Sequence, residues 1–190
     1  MQFLIANIND FDDSELETVM SRMPKNQREY INRKKRNTLR KQSIVARVLI
    51  KNLLTKFYEV SDGYSIDFDS NGKPYYLNSN DLHISLSHSG DFVCAVVSNK
   101  PVGIDIQIHK TISDKLIKRV CTDDEYEFIK SSDNNAFFRI WTAKEAYSKC
   151  TGLKLSDAFK LSFVRNGSVC GLDKMLYFCC EDNYMLSIIE

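Results

Sequence analysis

Two acids and a lysine stand out by type and spacing. In Val102-Gly103-Ile104-Asp105-Ile106-Gln107, side chains two apart on a strand point the same way. Asp105 and Gln107 therefore share one face, and Ile104 and Ile106 turn to the core. A carboxylate between two isoleucines is costly to bury unless it is paired or bound to a metal. The plain alternative is an exposed strand face carrying one charge. In Phe137-Phe-Arg-Ile-Trp-Thr-Ala-Lys-Glu-Ala-Tyr-Ser-Lys149, helical spacing places Trp141, Glu145 and Lys149 in one row. Here the plain alternative is a surface Glu–Lys pair beside a packed tryptophan, worth a few tenths of a kcal/mol.

Leu86-Ser87-His88-Ser89-Gly90 falls at the end of a strand. His88 could meet a phosphate or act as a base, or the segment is simply a polar hairpin turn. The glycine that a serine nucleophile elbow needs before its serine is missing. Gly72-Lys73-Pro74 reads as a turn with an exposed lysine. Arg28 to Lys41 is densely basic, either a solvated helix face or a source of anion contacts.

The elements that must position these groups follow from periodicity and punctuation. Residues 2–8 read as a strand and 12–22 as a helix capped by Asp12 or Asp13. A helical stretch follows from Lys25 to Tyr58, in one or two pieces, with an apolar stripe at Ile44, Val48, Leu49 and Leu53. Gly63 ends it. Tyr64–Phe68 reads as a strand and 70–74 as a turn. Leu82–Ser87 and Phe92–Ser98 form a hairpin closed by His88–Asp91. Asn99-Lys100-Pro101 marks the internal boundary, giving halves 1–100 and 101–190. Val102–Ile108 opens the second half as a strand. Thr122–Glu125 is a capping box, and Asn135–Thr151 is a helix stopped by Gly152. Phe159–Val164, Met175–Glu181 and Tyr184–Ile189 read as antiparallel strands. Each half thus opens on a strand and runs helices before further strands, which is an α+β order.

Composition narrows the function classes. Lys+Arg number 26 against 25 Asp+Glu, so no whole-molecule field invites nucleic acid or an anionic membrane. The opening MQFLIANINDFDD lacks a basic leader and reads as a first strand. No apolar run approaches the ~20 residues that span a bilayer. The six cysteines include no CxxC pair and show no zinc-ligand spacing with the histidines, so zinc is not expected. Reduced, mostly buried thiols in the cytoplasm are expected instead.

Taken in order, GKP, SLSHSG, VGIDIQ and WTAKEAYSK resemble the phosphopantetheinyl transferases of the surfactin-synthetase-activating type, from about Lys25 to Lys149. The resemblance implies two similar α+β halves related by a pseudo-twofold axis, with coenzyme A in the cleft between them. It implies transfer of 4'-phosphopantetheine from coenzyme A to a serine of an apo acyl or peptidyl carrier protein, with release of adenosine 3',5'-bisphosphate. It places Asp105 and Glu145 on magnesium ligands, with Glu145 instead or also a base toward the serine. Lys149 falls near the pyrophosphate, and Lys73, Ser87 and His88 on coenzyme A phosphate contacts. Arg28, Arg40 and Ser43 are candidates for the 3'-phosphate. Gln107 departs from the family, which usually has an acid there. It is expected to ligate Mg2+ as a neutral donor, or to stand just behind the ligands. A chain holding both halves is expected to work as a monomer. Two alternatives come from other classes: a non-catalytic module that binds carrier proteins or nucleotides, against which the retention of Asp105, Glu145 and Lys149 speaks, and a metal-dependent phosphodiesterase that cleaves the coenzyme A pyrophosphate with water.

Overall fold

The computed structural model describes residues 1–60, 66–69, 73–77, 81–133 and 135–190. Gly63, the first two residues of Tyr64–Phe68, most of the 70–74 turn and Gly72 of GKP lie outside the described residues. The chain divides into two compact units, Met1–Lys100 and Pro101–Glu190. Each mixes helix and antiparallel sheet, an α+β fold.

The first unit runs β1 (Gln2–Asn7), a 3-10 turn (Ile8–Asp10), α1 (Asp13–Ser21), α2 (Lys25–Asn32), α3 (Asn37–Phe57), β2 (Ile66–Phe68), β3 (Pro74–Tyr76), β4 (His83–Ser89) and β5 (Phe92–Ser98). The five strands among its described residues lie in the order β1-β5-β4-β3-β2. The Lys25–Tyr58 stretch is two helices, and the basic run covers the break between them. From α3, Ile44, Leu49 and Leu53 join Val45, Ile50 and Leu54 against Val93, Ala95 and Val97 of β5. Val48 sits at the rim. Full burial of such a side chain contributes ~1.5–3 kcal/mol, so α3 is held by its apolar face.

The second unit runs β6 (Gly103–Ile108), α4 (Asp114–Val120), α5 (Asp123–Ser131), α6 (Ala136–Thr151), α7 (Leu155–Ala158), β7 (Val164–Arg165), β8 (Ser168–Val169), β9 (Leu176–Cys180) and β10 (Tyr184–Ile189). One sheet has the order β6-β10-β9, and β7 and β8 form a separate ribbon. Helix α6 packs on β6 and β10. The Thr122–Glu125 capping box is present.

Helix α4, capped by the Ser113 hydroxyl at Leu116 N, stands in a stretch to which the sequence reading assigns no element. One expectation is corrected here. The Phe159–Val164 stretch is not a strand, and only Val164 enters the short ribbon. Its physical cause is a buried lysine: Lys144 Nζ donates to the carbonyls of Ala158, Phe159 and Leu161 at 3.3, 3.2 and 2.8 Å. Carbonyls gathered on one cation cannot alternate along a ladder.

All six cysteines are free thiols. Cys94 and Cys150 are buried, Cys180 is exposed, and the others are intermediate. No helix among the described residues is long and apolar enough to cross a membrane.

Candidate active site

The site in the second unit begins at a glycine. A Cβ on Gly103 would lie 1.9 Å from the Ala146 carbonyl oxygen and 2.6 Å from the Cys150 nitrogen. Only a residue without a side chain lets β6 come this close to α6. Two residues further along the same strand face is Asp105, and Glu145 and Lys149 flank Ala146 on the helix.

Asp105 is 1% exposed, so the reading of a solvated strand face is overturned. Lys149 Nζ donates to Asp105 Oδ1 at 2.6 Å and to the Ile104 carbonyl at 3.0 Å. Gln107 Nε2 donates to Asp105 Oδ2 at 3.1 Å. Both carboxylate oxygens are therefore bonded, which is what keeps a buried charge tolerable. Asp105 faces Ser187 across the ladder, and the Ser187 hydroxyl is 2.6 Å from Thr142 Oγ1. Strand parity places Asp105 and Gln107 together, and their hydrogen bond agrees.

Glu145 is half-buried, and its carboxyl is pushed up from 4.5 to about 7. Burial is the first cause and the charge of Asp105 the second, while Lys149 pulls the other way. Lys149 thus serves Asp105 on the neighbouring strand, beyond any pairing along its own helix. Trp141, a turn before Glu145, stacks on Phe137 at 6.0 Å and meets Phe159 at 5.7 Å.

No group of three or more His, Cys, Asp or Glu side chains among the described residues could by itself hold a metal. The donors present are two carboxylates and one neutral amide. That set fits magnesium, a hard cation that often takes one or two carboxylates and completes its shell with phosphate oxygens and water. The raised Glu145 carboxyl is the supporting observation: burial first and the charge of Asp105 second make its ionised form costly there, and a cation would relieve that cost.

The other sequence-predicted residues lie in the first unit. Ser87 and His88 sit near the end of β4, the serine buried and the histidine exposed. Lys73 precedes β3, and its amide donates to Asp69 Oδ1 at 2.8 Å. Its charge is felt at His83, which burial and Lys73 together hold below the usual imidazole value. Arg28 donates to the carbonyls of Ser21 and Met23 at 3.0 and 3.2 Å. Arg40 pairs with Glu17 at 3.2 Å and reaches Asn32 Oδ1 at 3.3 Å. The Ser43 hydroxyl donates to the Leu39 carbonyl at 2.8 Å. Both arginines thus have protein partners in this structure.

Sequence reasoning missed the burial of three polar side chains. Lys144 and Glu125, both fully buried, pair at 2.8 Å. Glu125 also accepts from Thr122 N at 2.8 Å and Phe163 N at 2.7 Å. The signal was the first lysine of WTAKEAYSK, which falls off the row of Trp141, Glu145 and Lys149. Gln42, on α3, is 4% exposed and donates to the Gly90 carbonyl at 2.7 Å. Its signal was a lone amide inside an apolar helix face.

Comparison with known proteins finds matches to both units. Residues 101–182 match the 4'-phosphopantetheinyl transferase superfamily. Residues 11–100 match the family described as 4'-phosphopantetheinyl transferase, N-terminal. The chain is 33% identical over 121 residues to the 4'-phosphopantetheinyl transferase psf-1 of Bacillus pumilus, covering 61% of this chain and 52% of the relative. It is 30% identical over 137 residues to the 4'-phosphopantetheinyl transferase Sfp of Bacillus subtilis, covering 67% and 61%. With HetI of Nostoc, also a 4'-phosphopantetheinyl transferase, it shares 34% identity over 124 residues, covering 60% and 52%. The chain therefore spans about half to three-fifths of the length of these relatives. Two adjoining family matches, with the GIDIQ and WTAKEAYSK residues gathered around one buried aspartate, lead to one conclusion: the chain belongs to the 4'-phosphopantetheinyl transferase superfamily.

Proposed function

We propose that this chain transfers 4'-phosphopantetheine from coenzyme A to the serine hydroxyl of an apo acyl or peptidyl carrier protein, releasing adenosine 3',5'-bisphosphate. The observation that carries this reading is the cluster of Asp105, Glu145 and Lys149 on β6 and α6.

Attack on a pyrophosphate needs a deprotonated nucleophile and compensation of negative charge. Glu145, held near 7, is matched to a base at neutral pH. It takes the proton of the carrier serine as that oxygen bonds to the phosphorus next to pantetheine. The bond from this phosphorus to the bridging oxygen breaks, and the nucleotide leaves with the electron pair. Lys149 carries the positive charge nearest this cluster and compensates charge developing on the phosphate oxygens. Asp105, Glu145 and Gln107 would hold Mg2+, which when bound supplies Lewis-acid neutralisation of the pyrophosphate. Gln107 also orients Asp105 through its amide nitrogen. In the first unit, Lys73, Ser87 and His88 take coenzyme A phosphates, and Arg28, Arg40 and Ser43 the 3'-phosphate. The division of labour is thus coenzyme A contacts in 1–100 and metal and proton chemistry in 101–190.

The test is incubation with coenzyme A, MgCl2 and a panel of apo carrier proteins, read by intact mass. One phosphopantetheine should be gained, and EDTA should abolish the gain. A panel that stays unmodified would sink the transferase reading. Release of phosphopantetheine without a carrier would point to the phosphodiesterase instead.

A further inference from the structure

Gln42 is a buried amide whose side chain makes its hydrogen bond to a loop carbonyl. Its Nε2 donates to Gly90 O at 2.7 Å, across 48 residues of chain. The other end of the same amide, Oε1, is buried without a partner among the described residues. An orphaned acceptor is unfavourable. Methionine or leucine would fill this position without that cost, so burial alone does not account for a glutamine. What the amide provides is the bond to Gly90.

That bond reaches a particular loop. Ser89 pairs with Phe92, so Gly90 and Asp91 form a two-residue hairpin loop between β4 and β5. Gly90 has φ +56, a conformation that glycine adopts without strain. Asp91 is fixed from the other side: its carbonyl accepts from Ile8 N at 2.8 Å and its Oδ2 from Asn9 Nδ2 at 3.0 Å. The loop is thus clamped by α3 at one residue and by the 3-10 turn at the next. The segment it closes begins with Ser87 and His88. On α3, Gln42 stands between Lys41 and Ser43, just after Arg40.

We infer that Gln42 is a positioning residue for coenzyme A, a role that rests on the proposed function. By tying Gly90 to α3 it holds two groups of phosphate contacts, Ser87 with His88 and Arg40 with Ser43, in one arrangement. Without the tie, the hairpin end at Gly90 and the first turns of the helix lose the bond that fixes one against the other, and the ligand must order them on binding. That ordering weakens ground-state binding and leaves the proton chemistry of the second unit alone.

The experiment compares wild type with Gln42→Met and Gln42→Leu in the full chain. Three quantities are measured: coenzyme A affinity by calorimetry, kcat and KM for coenzyme A and for the carrier, and the melting temperature. Losing one such tie should weaken coenzyme A binding and raise its KM by about tenfold. The kcat should stay within about twofold, with the carrier KM and the melting temperature near wild type. A merely structural glutamine would lower the melting temperature and leave KM alone. Wild-type affinity in both variants overturns the inference while the transferase reading stands. Wild type that binds no coenzyme A overturns both. Hydrogen exchange in wild type gives a second measurement that needs no variant. Amides of 87–91 and of the first turns of α3 should slow together on adding coenzyme A. Unchanged or unlinked protection counts against the role even if both variants fail to fold.

Discussion

Lys149 Nζ lies 2.6 Å from Asp105 Oδ1, and the two ends of this pair differ sharply in exposure, 28% for the lysine side chain and 1% for the aspartate. The asymmetry decides which partner the fold can lose. A lysine without its aspartate swings its ammonium to solvent on a flexible stem. An aspartate without its lysine stays buried and short of a countercharge.

Lys149→Met should therefore destabilise the second unit more than Asp105→Asn. Breaking a fully buried pair costs ~3–5 kcal/mol. The partial exposure of Lys149 should bring Lys149→Met to about 2–3 kcal/mol, and Asp105→Asn should stay near 1 kcal/mol. Urea denaturation measures both. If Mg2+ takes over the countercharge at Asp105, it should raise the melting temperature of Lys149→Met more than that of wild type. Turnover should collapse in both variants. Equal stability losses would show that Asp105 relaxes toward water when its lysine goes.

Glu145 provides a pH signature. Its carboxyl stands at about 7 in the folded chain against an ordinary 4.5. The native state thus keeps a proton between these values that the unfolded chain has released. Stability falls as pH rises through that window, with a limiting slope of about 1.4 kcal/mol for each pH unit. Glu145→Gln removes the titration, so its stability profile across the same window should be flatter than that of wild type. The variant should melt higher than wild type above the window without metal, and lose turnover. Parallel stability profiles for wild type and variant would show that neither burial nor Asp105 raises the Glu145 carboxyl in the folded chain.

The clustering was legible where it depends on local period. A two-residue repeat put Asp105 with Gln107, and a four-residue repeat aligned Glu145 with Lys149. Burial of Asp105 was not legible, because it follows from the contact of Gly103 with Ala146, which joins distant segments. The misread strand at 159–164 has a similar origin. Its apolar run has a β-like pattern, but the Lys144 ammonium, remote in sequence, collects its carbonyls. Helix α4 was missed because seven residues carry too little periodicity. Arg28 and Arg40 were legible as a basic run, but not their partners on neighbouring elements.

Lys144→Met should be among the most damaging single changes in the second unit. It strands Glu125, fully buried, and leaves the 158–161 carbonyls without their shared donor. Loss of a partner from such a pair costs ~3–5 kcal/mol. Adding Glu125→Gln removes the stranded charge but keeps one acceptor oxygen, so it retains the bond from either Thr122 N or Phe163 N and loses the other. The double variant should recover about half of the loss. A double variant no more stable than Lys144→Met alone would put the whole effect on the carbonyls. That result would also show that the lysine anchors the 158–161 turn independently of Glu125.

Gln107→Glu tests the position where the sequence resemblance leads an acid to be expected. Gln107 donates its amide nitrogen to Asp105 Oδ2 at 3.1 Å. A glutamate there replaces that donor with a like charge, so without metal the variant should be less stable than wild type by about 1–2 kcal/mol. With metal the sign reverses. A third carboxylate gains Coulomb energy at a hard divalent cation that a neutral amide oxygen does not. Mg2+ should then raise the melting temperature of Gln107→Glu more steeply than that of wild type. The Mg2+ concentration for half-maximal transfer at fixed coenzyme A should fall. The two readouts separate the two roles of Gln107. Lower stability with an unchanged Mg2+ requirement would make Gln107 only the support of Asp105, and its amide oxygen would play no part in holding the cation. A higher requirement would mean that repulsion among Asp105, Glu145 and the new carboxylate outweighs ligation.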